Sequence, residues 1–217
     1  MGHYTKEKAI SIVTACAKSY RDELADKSLL FVCLDKHKHT HYLEFSFESN
    51  NFLHLTGLKT KNRDDKTENS RPLTASEFYN RCLDGKLSPL DFDFAMDGTT
   101  ELKLDVLPFV INKNLSANMI GDYKSVNPKL YTEKLVGGTK ACVGFVLSST
   151  SMRYIPNTVL KMDIRDYTAS TSRVVAVFRK NKSDNKYSEV TYKAKKVDWM
   201  TIKYPDTFTY LSELIES

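Results

Sequence analysis

Between positions 5 and 25, Ala9, Ile10, Val13, Cys16, Ala17, Tyr20 and Leu24 recur at three- and four-residue steps, with Lys, Arg and Glu opposite them. That period predicts an amphipathic helix packed on a sheet. The pattern then changes. Leu29–Cys33 is a short continuous apolar run, as expected of a buried strand, and Tyr42–Glu48 alternates like a strand with one buried face. Asp35–His41 forms the turn between them. If the alternation carries on past Asn50 and Asn51, Phe52, His54 and Thr56 share one face, and Leu53 and Leu55 the other. An imidazole would then sit two residues from a hydroxyl, just before Gly57. The plain alternative is a core histidine with satisfied ring nitrogens and a Thr-Gly pair that only ends the strand.

From Lys59 to Arg71 the chain is polar, charged and without period, which reads as a mobile loop. Thr74-Ala75-Ser76-Glu77 is a capping box that opens a helix through Phe78, Tyr79 and Cys82, stopping at Gly85. Ser88-Pro89 offers another helix start. Residues 99–114 carry Leu102, Val106, Leu107 and Val110 at helical spacing, with a kink expected near Pro108. The second half reads as strands: Met119–Tyr123, Leu130–Leu135, a central Ala141–Leu147, and Tyr154–Thr158, whose Pro156 marks an edge or bend. Arg173–Lys180 and Lys186–Lys193 flank a turn at 181–185 and form an antiparallel hairpin. Pro205–Ile215 reads as a short helix. With no repeat and no linker, residues 1–217 are assigned to a single α+β domain with a core at 29–196. The expected sheet is antiparallel, of about four to six strands, with the N-terminal helix and a middle helical block packed on it.

Composition narrows the function. At 217 residues and 41% hydrophobic, the chain can bury a substantial core. No apolar run approaches the roughly 20 residues of a membrane span, and the charged start, Met1–Lys8, is not a secretory leader. Cys16, Cys33, Cys82 and Cys142 are scattered through apolar contexts, which points to free buried thiols in a reducing cytoplasm. The net charge of +5 permits a polyanionic partner without demanding one. The charge is uneven: residues 179–196 carry Arg179, Lys180, Lys182, Lys186, Lys193, Lys195 and Lys196 against Asp184 and Glu189, whereas 91–105 lean acidic. His37, His39 and His41 alternate, but no paired cysteine motif or carboxylate cluster completes a metal site, so a polar hairpin tip is the expected reading. Nothing calls for a metal or other cofactor.

Several stretches, in order, carry a resemblance: Asn51–Gly57, Phe78-Tyr79, Lys134-Leu135, Tyr154–Thr158, and the hairpin Val177–Lys180 with Tyr187–Lys193. Together they resemble the fourth phage-type barnase–EndoU–colicin–RelE-like nuclease family, over about Leu29 to Lys196. The resemblance implies an RNase-toxin-like fold of helices on an antiparallel sheet, an RNA partner, metal-independent endoribonuclease chemistry, and action in the cytoplasm of a bacterial host by a phage or prophage protein. In that chemistry the RNA 2′-hydroxyl attacks phosphorus, a base takes its proton, an acid protonates the leaving oxygen and cations stabilise the charge. His54 suits base or acid, and Thr56 could hold the phosphate. Tyr154 could stack or act as acid, and Asn157 could read a base edge. Arg179, Lys193 and Lys195 are candidate phosphate clamps. The matched stretches, from Asn51 onward, lack a second histidine, because His37, His39 and His41 precede them. The alternative is a non-catalytic binder of a nucleotide or anionic signal, or of a host protein, in phage–host conflict, with the same residues lining a phosphate pocket.

Overall fold

The computed structural model describes residues 4–61, 71–124 and 130–216. The part of the expected loop at 62–70 therefore lies outside the described residues. In chain order the elements are α1 (Lys6–Glu23), β1 (Lys27–Leu34), β2 (Thr40–Phe47), α2 (Asn51–Thr56), β3 (Lys59–Thr60), α3 (Ala75–Asp84), β4 (Phe92–Asp93), α4 (Thr99–Val110), β5 (Met119–Tyr123), β6 (Lys134–Gly137), β7 (Cys142–Leu147), β8 (Tyr154–Leu160), β9 (Thr168–Asn181), β10 (Glu189–Lys193) and α5 (Leu211–Glu216). Among the described residues no helix is long and apolar enough to cross a membrane.

The helices whose patterns were strongest form where expected. In α1, the Thr5 hydroxyl accepts the Lys8 amide at 3.2 Å, and Ala9, Val13, Cys16, Ala17 and Tyr20 are buried. The capping box opens α3: Glu77 N–H donates to Thr74 Oγ1 at 3.3 Å, and Thr74 N–H donates to Glu77 Oε2 at 2.8 Å. Ser88-Pro89 instead starts a turn, closed by Asp91 N–H on the Ser88 carbonyl at 3.0 Å. All four cysteines are buried and free. The histidine hairpin is organised by Asp35, which accepts the amides of His37 and His39 at 2.8 Å each and lies 3.2 Å from His39 Nδ1.

The sheet departs from expectation. It is not an open antiparallel sheet of four to six strands. Seven strands close into a mixed barrel in the order β1-β2-β8-β7-β6-β5-β9, with β9 returning to β1; β10 extends the sheet beyond β9, and β3 and β4 make a separate two-stranded ribbon. The strand responsible is β9. Its 14 residues pair first with β5, from Tyr123↔Thr168 to Met119↔Arg173, and then with β1, from Leu34↔Arg173 to Lys27↔Asn181, while β10 takes its other edge. The remaining seam joins β2 to β8 by a parallel contact at Phe45↔Tyr154. Open and closed sheets share the same inward–outward alternation, so period alone does not reveal closure.

Phe31, Phe45, Val136, Val143, Phe145, Val159 and Val177 belong to one core cluster with the buried residues of α1–α4, so barrel interior and helical block are a single apolar unit. On the opposite faces of β1 and β9, Leu30, Val32, Val175 and Phe178 pack against Leu211 and Ile215 of α5.

Arg179, read from sequence as a phosphate clamp, is occupied structurally. Its guanidinium donates to Glu23 Oε2 at 2.6 Å and the Glu23 carbonyl at 3.0 Å, and to both Glu189 oxygens at 2.8 and 3.0 Å. It ties the C-terminal end of α1 to the β9–β10 ribbon, with only 15% of its side chain exposed. We therefore expect Arg179→Met to destabilise the fold by roughly 2 kcal/mol, the scale of a lost charged hydrogen-bond set with partly exposed partners, measurable as a lower urea midpoint.

Candidate active site

His54 lies on a helix, not on a continued strand. The alternation of β2 stops at Phe47, and the Asn51 side chain turns the backbone by accepting the Glu48 amide at 2.8 Å. Phe52 and Leu55, three apart, then share a helical face. Phe52 packs among Tyr20 and Tyr79 at ring distances of 5.3 and 5.4 Å. His54 consequently points outward and is exposed, whereas Thr56 is fully buried. The Thr56 hydroxyl donates to the Leu53 carbonyl at 2.8 Å and accepts the Leu58 amide at 3.1 Å. It secures the end of α2 and does not share a face with His54.

The same helix end is gripped by α4. The buried Thr100 hydroxyl donates to the Gly57 carbonyl at 2.7 Å and accepts the Ala95 amide at 2.8 Å. Lys103 Nζ donates to the His54 carbonyl at 3.1 Å. Glycine is required at position 57 twice over. Its φ is +72°, and a Cβ there would come within 2.7 Å of Lys103 Cδ and 3.2 Å of Thr100 Cα. This close approach brings His54 and Lys103 to one cavity of about 400 Å³, which Lys59, Thr60 and Asn157 also line.

The cavity is electropositive. Burial, then the neighbouring Lys59, brings the Lys103 ammonium down to about 8, with Asp97 pulling weakly the other way. Although His54 is open to solvent on one side, partial desolvation by the cavity walls lowers its imidazole below the ordinary value, helped by Lys103 and then Lys59. Lys103 is thereby brought close to neutrality while His54 stays below its ordinary value, so the two titrate on either side of pH 7. Lys103 and Lys59 were missed by sequence reasoning. Lys103 is 49 positions from His54 and adjoins Leu104, a core position of α4, so neither period nor spacing marked it.

The remaining sequence candidates separate. Asn157 lines the cavity, but its amide is already engaged: Nδ2 donates to the Tyr131 carbonyl, and Oδ1 accepts from Thr132 Oγ1 at 3.3 Å. Tyr154 is in the barrel seam, its ring 5.6 Å from that of Phe45, with Lys134 Nζ 5.9 Å from the ring centre. Lys193 donates to the Ile215 carbonyl and sits 5.8 Å from the Trp199 ring. Lys195 is exposed, and its carbonyl accepts Arg173 Nη2 at 2.9 Å. None of Arg179, Lys193 and Lys195 lines the His54 cavity. Among the described residues, no group of three or more His, Cys, Asp or Glu side chains is arranged to share a metal ion.

A family model described as phage-Barnase-EndoU-ColicinE5/D-RelE like nuclease4 matches residues 12–196, which include every residue of this cavity. No curated protein and no solved structure matches the chain.

The depressed Lys103 implies a stability cost. Between about 8 and the unfolded value of 10.5, the unfolded chain binds a proton that the folded chain does not, so stability rises with pH across that window. Below about pH 8 the full penalty of holding a charged Lys103 remains. Lys103→Met, which keeps the chain length and removes the charge, should raise stability at pH 7 by up to about 3 kcal/mol, at 1.36 kcal/mol per pKa unit. Urea titration at pH 7 and pH 10 checks this: the gain should shrink at the higher pH.

Proposed function

This chain belongs to the phage-Barnase-EndoU-ColicinE5/D-RelE like nuclease 4 family, and on that premise we propose that it is a metal-independent endoribonuclease whose acid–base pair is His54 and Lys103. The observation that carries the reading is the meeting of these two side chains, with Lys59 beside them, in one cavity on a nuclease-family domain. Ribonucleic acid brings its own nucleophile, so the protein need only move two protons and offset charge.

His54, neutral at and above pH 7 because its proton affinity is reduced, removes the 2′-hydroxyl proton. The 2′-oxygen bonds to phosphorus and the bond from phosphorus to the 5′-oxygen breaks. Lys103, still largely protonated at pH 7, gives its proton to the departing 5′-oxygen. The products are a 2′,3′-cyclic phosphate and a 5′-hydroxyl. Lys59 opposes the charge on the non-bridging oxygens. Lys103 thus supplies the second proton carrier that the matched histidine alone does not.

The non-catalytic alternative uses the same cations to hold a phosphate without turnover, and cleavage assays separate the two. His54→Ala should reduce RNA cleavage by about 100-fold or more, and Lys103→Met by a comparable factor, the usual scale for a lost acid or base. The kcat/KM profile should be bell-shaped, rising as His54 deprotonates below 6.5 and falling as Lys103 deprotonates near 8. Activity should survive EDTA and leave cyclic-phosphate ends. Equal cleavage by wild type and His54→Ala, or none by pure wild type, rejects the catalytic reading.

A further inference from the structure

The His54 cavity offers cations and an amide, but among the described residues no Phe, Tyr or Trp lines it. A phosphate has partners there, while a nucleobase has no face to lie on. An exposed aromatic whose backbone is hydrogen-bonded to a lining residue is Tyr131. Its side chain is 87% exposed and makes no ring–ring or cation–ring contact among the described residues. An exposed phenol of this kind is ordinarily a loose surface group, but the backbone that carries it is not loose. Asn157, a wall of the cavity, donates to the Tyr131 carbonyl. Thr132 Oγ1 lies 3.1 Å from the Phe145 carbonyl and 3.3 Å from Asn157 Oδ1, and Glu133 N–H donates to the Phe145 carbonyl at 2.8 Å.

Beneath this bracket lies Gly144, where a Cβ would come within 2.7 Å of Thr132 Oγ1 and 3.3 Å of Asn157 Oδ1. Gly144 thus leaves room for a pinned segment whose Tyr131 ring faces solvent, its backbone one hydrogen bond from a wall of the cationic cavity. Asn157 cannot offer its full amide to a base edge, because both ends already serve this bracket. Its part is to position Tyr131.

We propose that Tyr131 is a stacking platform for an unpaired base flanking the scissile phosphate, so that the substrate class is single-stranded RNA. This rests on the nuclease reading of the His54 cavity. A duplex already stacks its bases and gives Tyr131 no free face, whereas a single strand does.

The test is binding of a fluorescein-labelled 2′-O-methyl RNA octamer, which lacks the attacking hydroxyl and stays intact, measured by anisotropy. Tyr131→Ala should weaken binding roughly 5- to 150-fold, the alanine-substitution range for one stacked base. Tyr131→Phe should bind like wild type. The salt slope should be the same for wild type and Tyr131→Ala, since stacking releases no counterions. Replacing successive bases with abasic sites should reveal one position at which wild type falls to the level of Tyr131→Ala. In Asn157→Ala, the further loss from Tyr131→Ala should shrink. If Tyr131→Ala binds the octamer as wild type does, or loses as much on the annealed duplex, the platform is refuted while the cleavage chemistry stands. If stacking is found but wild type cleaves nothing, the nuclease reading fails alone. If wild type binds no RNA, both fail.

Discussion

The contact on which the candidate site depends is the parallel seam between β2 and β8. Its centre is apolar: the Phe45 ring lies 4.5 Å from that of Phe145, 5.2 Å from Phe31 and 5.6 Å from Tyr154. Rings at these separations bury large areas and prefer tilted or edge-on contact, which fixes relative orientation as well as distance. Glu44 of β2 and Arg153, immediately before β8, lie 3.2 Å apart and reinforce the seam at its end. The seam sets β8 beside the segment that leads from β2 into α2, and so places Asn157 against the helix that carries His54. Without closure, the two halves of the cavity have no fixed relation.

Much of the local structure was legible. The apolar spacing of α1, the capping box before α3 and the β9–β10 hairpin each declare themselves within about 20 residues, because their determinants are local. What was not legible is what depends on distance. Asn51–Thr56 has too few residues to display a helical period, and the clear alternation of Tyr42–Phe47 runs straight into it, so a strand reading absorbed a helix. His54 was singled out for its chemistry, and it does line a polar cavity. Thr56 was grouped with it by strand parity and falls on the buried side. The hairpin cations looked like a phosphate site because charge is visible in sequence, whereas the carboxylates of Glu23 and Glu189 that occupy Arg179 come from separate elements.

The electrostatics of the cavity are those of a site short of its partner. Lys59 lowers the proton affinity of both Lys103 and His54, Lys103 lowers that of His54, and among the described residues no carboxylate lines the cavity with them. Under the proposed reading, an arriving phosphodiester reverses the balance. Its charge restores proton affinity to Lys103, which holds the acid in its charged form when the leaving oxygen needs a proton. The free protein carries the repulsion, and the bound state relieves it, so part of the binding energy is realised only with an anion in place.

The double pairing of β9 also bears on how this protein emerges from the ribosome. β1 can zip to β2 as soon as both are made, but its other edge must wait for residues 173–181, which follow much later in the chain. Until then that edge of β1 offers unpaired amides and carbonyls, a template for association with other nascent chains. Long-range pairing of this kind is slow, because loop closure precedes any contact energy. For a nuclease the delay has a use. β8 and its Asn157 are translated well after His54 and Lys103, so the cavity gains its last wall only once β8 has left the exit tunnel. Under the proposed function, the site that cleaves RNA is therefore incomplete while its own message is still being read.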